Sequence, residues 1–462
     1  MVRIVILLLS GLLMLGCTKD ESDASGPDSS VRISGSRYIY NSPKPSSPKL
    51  LGMLGDSYVG LSSAAPGLPL WLGIRDFTPS FPSENNLVRL DTTGQVVLAR
   101  HIYTGNLTSV IRATADGGCW IGGGDKLLRL RADGSVVWAH TLEYGYDFPQ
   151  RVQINDLALR ADGSVLLAGA TRVDYGEQIL LAHVSALGEV LWMREYKYPL
   201  NGTDPFEQPF TAQIISLPDN SFVIAGDRVV APNTFLTRFS EIGQPLWSQT
   251  IAVPDFGTTF MAFHLLPDGS LQLGIPTISA SFALLRFNID GRLLFSNRYD
   301  GLRVSKGGIT VSPQGETVLL GRGFKLYNFD GQGTFAGKLD AQAQPIGSLH
   351  SLEADTLGLL KDLPQVVAPG GNYVYGVGSL FSSSSIATTS ITPNHFRLFK
   401  VDQRGGEVCS FTTDAATLTS APLTPQITQG ALPIVITGKS GHQDFTPNII
   451  ALPVVRVRNC GK

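Results

Sequence analysis

The chain has 462 residues and a formal net charge of −2; 43% of its residues are hydrophobic and only 16% are charged. That is ample apolar mass for a large core, and the near-neutral balance leaves no electrostatic footprint for nucleic acid. Fifty glycines and 28 prolines call for many turns and argue against a mostly helical protein.

The chain opens MVRIVILLLSGLLMLGC. Arg3 supplies a positive start, and Ile4 to Leu15 a short apolar stretch typical of a targeting segment. No later apolar run is long enough to span a bilayer. Leu13-Met14-Leu15-Gly16-Cys17 resembles the lipobox of bacterial lipoproteins. The resemblance implies removal of residues 1–16 and acylation of Cys17, hence attachment to a membrane through lipid. Thr18-Lys19-Asp20-Glu21 then resembles the export signal of Bacteroidota lipoproteins displayed on the cell surface; a solvated acidic tether is the plainer alternative. Residues 17–46 read as lipidated cysteine plus flexible tether, with a first strand near Val31 to Tyr40, and residues 47–462 as one domain.

From there a phrase recurs. Its first half is a strand, an Asp-Gly type turn and a strand closing on glycine. Copies are ATADGGCWIGG (113–123), LRADGSVLLAG (159–169), SLPDNSFVIAG (216–226), LLPDGSLQLG (265–274), VSPQGETVLLG (311–321) and VAPGGNYVYGVG (367–378). Weaker ones lie at 65–73 and 429–438. Its second half is a strand, a glycine turn and a strand ending in an aromatic, as in LLRLRADGSVVW (127–138), LTRFSEIGQPLW (236–247) and LLRFNIDGRLLF (284–295). A last partial copy falls at 449–459. The closing glycines recur about every 52 residues, and four short strands per copy at that period are the pattern of a β-propeller blade. The expected fold is all-β, a propeller of eight four-stranded blades or alternatively seven. Strands from both termini would close the ring, because the last copy lacks its third and fourth strands. Trp138, Trp192, Trp247 and Phe295 read as wedges between blades.

The phrase resembles the repeat of Bacteroidota propeller lipoproteins, and more distantly that of PQQ-type propellers and the outer-membrane assembly lipoprotein that shares their fold. The resemblance implies fold and says little about function.

Strand alternation puts both tight turns of a blade on one side of the disc and the longer, irregular connections on the other. The long-connection side carries Phe77, Phe81, Tyr144, Tyr146, Phe148, Arg151, Tyr198, Phe206, Phe210 and Phe256. Aromatics with interspersed polar groups on loops suit binding of a protein or a carbohydrate. Cys409 and Cys460 could form a disulfide in an exported protein, whereas Cys119 sits in an apolar strand and reads as a small buried residue. His140 and His183 read as packed strand residues, and the seven histidines show no metal-ligand spacing. There is no GxSxG elbow, no phosphate-cradling loop before a helix and no calcium loop. The expectation is therefore a monomeric, lipid-anchored binding module without catalysis, cofactor or metal. It would sit at the bacterial outer membrane, on the cell surface or facing the periplasm. The alternatives are a glycan hydrolase or lyase on the same scaffold, and a periplasmic assembly scaffold.

Overall fold

The computed structural model describes residues 32–40, 59–62, 64, 68–76, 84–91, 96–103, 110–144, 151–173, 176–197, 209–228, 233–253, 262–276, 281–300, 302–323, 333–346, 350–352, 365–370, 373–380, 394–402, 419–422, 424, 426–429, 434–436, 440–444, 448–451 and 454–458. All of its strands pair antiparallel.

The hairpins form for local reasons. Among the described residues, ten turns share one geometry: the residue opening the turn donates to the carbonyl four residues on and accepts from the amide three residues on. In all ten the fourth residue has positive φ. It is glycine in eight of them, Asn220 (φ 66°) in one and Ala343 (φ 62°) in another. A type I turn followed by a left-handed residue is a standard hairpin closure, and glycine adopts that conformation without steric cost. In four of the first-strand turns the aspartate at the third position accepts the amide two residues on, as in Asp162 to Ser164 N (2.9 Å) and Asp219 to Ser221 N (3.0 Å).

The strands make seven sheets, six with five strands and one with four. In ring order, sheet 1 is Val59–Ser62, Leu70–Asp76, Glu84–Leu90 and Val96–Tyr103. Sheet 2 is Val110–Ala113, Cys119–Gly123, Lys126–Leu130 and Val136–Tyr144. Sheet 3 is Arg151–Leu159, Val165–Val173, Gly176–Val184 and Val190–Lys197. Sheet 4 is Pro209–Ser216, Phe222–Arg228, Asn233–Phe239 and Pro245–Ala252. Sheet 5 is Ala262–Leu265, Leu271–Pro276, Ser281–Phe287 and Leu293–Asp300. Sheet 6 is Leu302–Val311, Thr317–Gly323, Gly333–Leu339 and His350–Leu352. Sheet 7 is Gln365–Gly370, Tyr373–Leu380 and Asn394–Asp402, completed by the N-terminal strand Arg32–Tyr40. The first strands of neighbouring sheets touch one another all the way round, sheet 7 to sheet 1 included. They line the axis of a β-propeller.

Among the described residues the expected eighth blade is not there. The strands described within 429–438 and 449–459 belong instead to a belt that runs back around the rim and adds one outer strand to each of six sheets. Thr419–Pro422 pairs with sheet 5, Gln426–Gln429 with sheet 4 and Ile434–Ile436 with sheet 3. Ser440–Asp444 then pairs with sheet 2, Asn448–Ala451 with sheet 1, and Val454–Arg458 with Arg32–Tyr40 in sheet 7. The physical reason is edge satisfaction. A closed ring of sheets still exposes the outer N–H and C=O groups of every fourth strand, and the tail pairs with them. Pro422, at the end of its belt strand, suits a strand that needs donors on one edge only. Ring closure by the N-terminus is real but differs from the expectation: Arg32–Tyr40 completes the copy at 365–402, and Val59–Ser62 is the axial strand of sheet 1.

The core lies between sheets rather than under one. Separate buried clusters fill the interfaces of sheets 1 and 2, 2 and 3, 3 and 4, 4 and 5, and 5 and 6. Trp138, Trp192, Trp247 and Phe295 pack against these clusters as the wedges the sequence suggested. Trp138 Nε1 and Trp247 Nε1 also donate to turn carbonyls of the next sheet, Ala186 (3.3 Å) and Ile289 (3.1 Å). Tyr196 and Tyr299 hydroxyls do the same to Gly243 and Ala343, both at 2.6 Å. The closing glycines let adjacent sheets approach: a Cβ on Gly122 would lie 2.8 Å from Ile154 Cγ2, and one on Gly274 would lie 2.7 Å from Ile309 Cδ1.

Candidate functional site

The strand order gives the disc two unlike sides. Each first strand runs towards the tight turns and each second strand runs back, so both hairpin turns of a sheet share one side. The connections between second and third strands, and from one sheet to the next, share the other. The predicted binding residues belong to that long-connection side, and few lie where side chains are described. Phe77, Phe81, Tyr146, Phe148, Tyr198, Phe206 and Phe256 lie outside the described residues, as do Cys17, Cys409 and Cys460. Arg151 opens the first strand of sheet 3, opposite Arg172, and Phe210 pairs with Asp227 in sheet 4. Tyr144 requires a correction. It is 2% exposed and packs with Leu142, Val152 and Ile154 between sheets 2 and 3, because strand alternation puts it on the same side as Leu142. It anchors the end of its strand and presents no ring to a ligand.

Sequence reasoning missed a polar group at this same end of sheet 3. Glu195 is 4% exposed and accepts a hydrogen bond from the Thr171 hydroxyl. Burial raises its pKa above the usual carboxylate range, against the lowering effect of that hydroxyl. Gln178 lies opposite Thr171, and its buried Oε1 has no hydrogen-bond partner among the described residues. In sheet 4 the buried Asp227 accepts from Thr234 Oγ1 at 3.0 Å. The only sequence trace of these groups is a polar residue at an apolar position of a strand.

Near the axis one carboxylate joins three sheets. Asp156 follows a bulge in the first strand of sheet 3 and is 5% exposed. It pairs with Arg112 of sheet 2 and accepts from the amides of Leu157 (2.8 Å) and Ile214 of sheet 4 (3.0 Å). Arg112 Nε also donates to Leu157 O at 2.8 Å. Three sheets on from Arg112, the same relation recurs: His264 Nε2–H donates to Ile309 O at 2.9 Å, joining sheets 5 and 6. Burial lowers the pKa of His264.

On the tight-turn side a Ser–His–Asp grouping invites a catalytic reading, and the geometry opposes it. Ser164 Oγ donates to Asp162 Oδ1 (2.6 Å), so the 2.8 Å contact with His183 Nε2 requires the imidazole to be the donor. A histidine that donates to the serine cannot take its proton. The grouping is also one of a series. Arg238 takes the place of His183 in sheet 4, bonded to Ser221 Oγ (3.1 Å) and Asp219 Oδ2 (2.5 Å). Arg129 pairs with Asp116 at 2.6 Å in sheet 2, and Lys338 with Glu316 at 2.6 Å in sheet 6. A device present in sheet after sheet clamps turns; catalysis needs it once. Burial works to raise the Asp116 carboxyl, but Arg129, the Thr114 hydroxyl and the Gly118 amide together hold it at about 2. His183 itself is lowered, by burial and by the neighbouring Arg160. Both strand histidines are packed as expected, His140 stacked on Trp138 at 4.6 Å. Cys119 is a buried free thiol whose pKa burial raises. Among the described residues no group of three His, Cys, Asp or Glu side chains is placed to hold a metal ion.

No protein-family model matches the chain, and no curated protein matches it in sequence. In strand arrangement it is similar to a protein of unknown function from Dyadobacter fermentans (12% identity, 80% of this chain and 99% of that one, TM-score 0.45). It is also similar to the polysaccharide lyase Uly1 (9% identity, 80% and 99%, TM-score 0.44) and to a gluconolactonase from Xanthomonas campestris (14% identity, 78% and 96%, TM-score 0.35). These likenesses assign no chemistry to this chain. What is shown is a β-propeller scaffold.

Proposed function

We infer that the chain is a non-catalytic binding module of the bacterial envelope, anchored through lipid on Cys17, that takes a protein or a glycan on its long-connection side. The observation that carries this is the division of the disc. Ten described turns of one stereotyped geometry occupy one side, while the connections between second and third strands and from one sheet to the next leave from the other. A rigid ring with variable loops on one side is an arrangement for recognition. The polar side chains that invite a catalytic reading are engaged in structure: Asp156 and His264 join sheets near the axis, and His183 clamps a turn within its own sheet.

The test uses the full chain in detergent with immobilised envelope polysaccharides as probe. Replacing residues 198–208 with a Gly-Ser linker should abolish retention while leaving the melting temperature unchanged. Release of shorter saccharides from the probe would overturn the non-catalytic reading. Cys17→Ala should move the protein from the membrane to the soluble fraction; continued membrane association would overturn the anchor. Protease digestion on intact cells then separates surface display from the periplasm.

A further inference from the structure

The belt covers only part of each outer edge. It pairs with Arg100–Tyr103, His140–Tyr144, Glu195–Lys197, Gln249–Ala252 and Asn297–Asp300, the halves of the fourth strands nearest the long connections. The other halves begin at the tight turns: Val96–Ala99, Val136–Ala139, Val190–Arg194, Pro245–Ser248 and Leu293–Phe295. No described strand pairs with their outer edge. At the second residue of each sits an exposed aliphatic side chain: Val97, Val137, Leu191, Leu246 and Leu294, 40–52% exposed. Ile346, two residues past the equivalent turn in sheet 6, is 38% exposed. Single exposed aliphatics are ordinary, but one at the same register in six sheets is a pattern.

The charge around these positions is mostly acidic, with Arg131 and Arg292 as exposed cations at two of the turns. The cations of the repeat are drawn between the sheets, as Arg129 and Arg238 are, 11% and 12% exposed. Their carboxylate partners reach water, Asp116 at 62% and Asp219 at 52%. Asp133, Glu189, Glu241 and Asp290 are exposed at the neighbouring turns. The rim on this side is thus a circle of aliphatic side chains on open strand edges, bordered by an excess of acid.

We propose that these open half-edges receive an extended segment of a partner protein, alternating aliphatic with Lys or Arg side chains, added as a further strand. Three observations converge on that occupant. The same edges already accept belt strands over the adjoining half, so the backbone geometry suits strand addition. The recurring aliphatic supplies one apolar contact per site. The acidic border favours basic side chains and disfavours an anionic lipid surface. Repetition around the ring allows several short segments to bind together with gain from effective concentration. This surface is on the opposite side from the proposed recognition loops, and it stands or falls apart from them.

The experiment uses the full chain carrying Cys17→Ser and fluorescent ten-residue peptides alternating valine with lysine. Fluorescence anisotropy should show saturable binding. A glutamate-for-lysine peptide, and a lysine peptide with proline at alternate positions, should bind at least about tenfold more weakly, since they lose charge complementarity or strand donors. Leu191→Ser together with Leu246→Ser, which remove the aliphatic contact without adding charge, should weaken lysine-peptide binding to a similar extent with an unchanged melting temperature. Equal binding of the acidic peptide, indifference to the two substitutions, or no binding to any peptide would overturn the proposal. So would self-association that the same substitutions abolish, which would make a second copy the occupant. Binding to anionic vesicles in place of peptide would make it a lipid surface.

Discussion

Asp156→Ala tests whether the axis is held by a carboxylate shared among three sheets. The side chain is 7% exposed and receives donors from Arg112, the Leu157 amide and the Ile214 amide. Truncation leaves the Ile214 amide and the Arg112 guanidinium without that acceptor. A buried donor left unsatisfied costs about 1–3 kcal/mol, and breaking a buried ion pair by removing one partner costs about 3–5 kcal/mol. Arg112 is 35% exposed, so water recovers part of its loss. The expected destabilisation is then about 2–4 kcal/mol, a large share of the ~5–15 kcal/mol that holds a typical domain folded. Asp156→Asn keeps an acceptor for one amide but loses the charge, and should cost about half as much. Urea unfolding of both variants, with Arg112→Ala and the double variant, completes the cycle. The two single changes should couple by more than about 1 kcal/mol because they share one interaction. A loss under about 1 kcal/mol for Asp156→Ala, or strict additivity with Arg112→Ala, would refute the reasoning.

Acid should unfold the protein through its turns. The carboxyls of Asp116, Asp162, Asp219 and Asp268 are all lowered, Asp116 to about 2. Their stabilisation is present above the ordinary aspartate value and is lost as pH falls towards about 2. Melting temperature should drop over that interval, and Asp116→Asn should flatten part of the slope. Glu195 has the opposite sign: its raised pKa means that its contribution is present at low pH and is lost as pH rises through the folded value. Glu195→Gln should therefore be more stable than the parent at pH 7 and should lose that advantage at pH 4, read by thermal melts at the two values. Removing residues 419–462 strips the outer strand from six sheets. The truncated chain should self-associate through the exposed edges, seen by light scattering, whereas a monodisperse monomer would show that the belt is dispensable.

The repeat was legible because its signals are local. An Asp-Gly turn between two alternating strands is written within about ten residues, and the aromatic that ends four of the copies marks the wedge between sheets. The tail misled because its short strands look like weak copies of the same phrase. Nothing within residues 419–458 says that each strand will pair with a different sheet. Tyr144 misled in a related way: an aromatic at a strand end can face a ligand or fold under, and that depends on the neighbour that covers it. The arginine of the third strand was visible in LTRFS and LLRLR, but its role became legible only when Arg129, Arg238, Lys338 and His183 fell at one place in successive sheets.

What this sequence determines unaided is therefore what short-range physics can express: the all-β character, the hairpins, the repeating sheet and the existence of two unlike sides. Tertiary structure alone decided that the tail is a belt and that Asp156 ties three sheets together. It also decided which carboxylates are buried and which half of each outer edge stays open. Each of these depends on pairing between groups far apart in the chain, and no local pattern encodes which distant strand will arrive to satisfy a donor or cover a side chain.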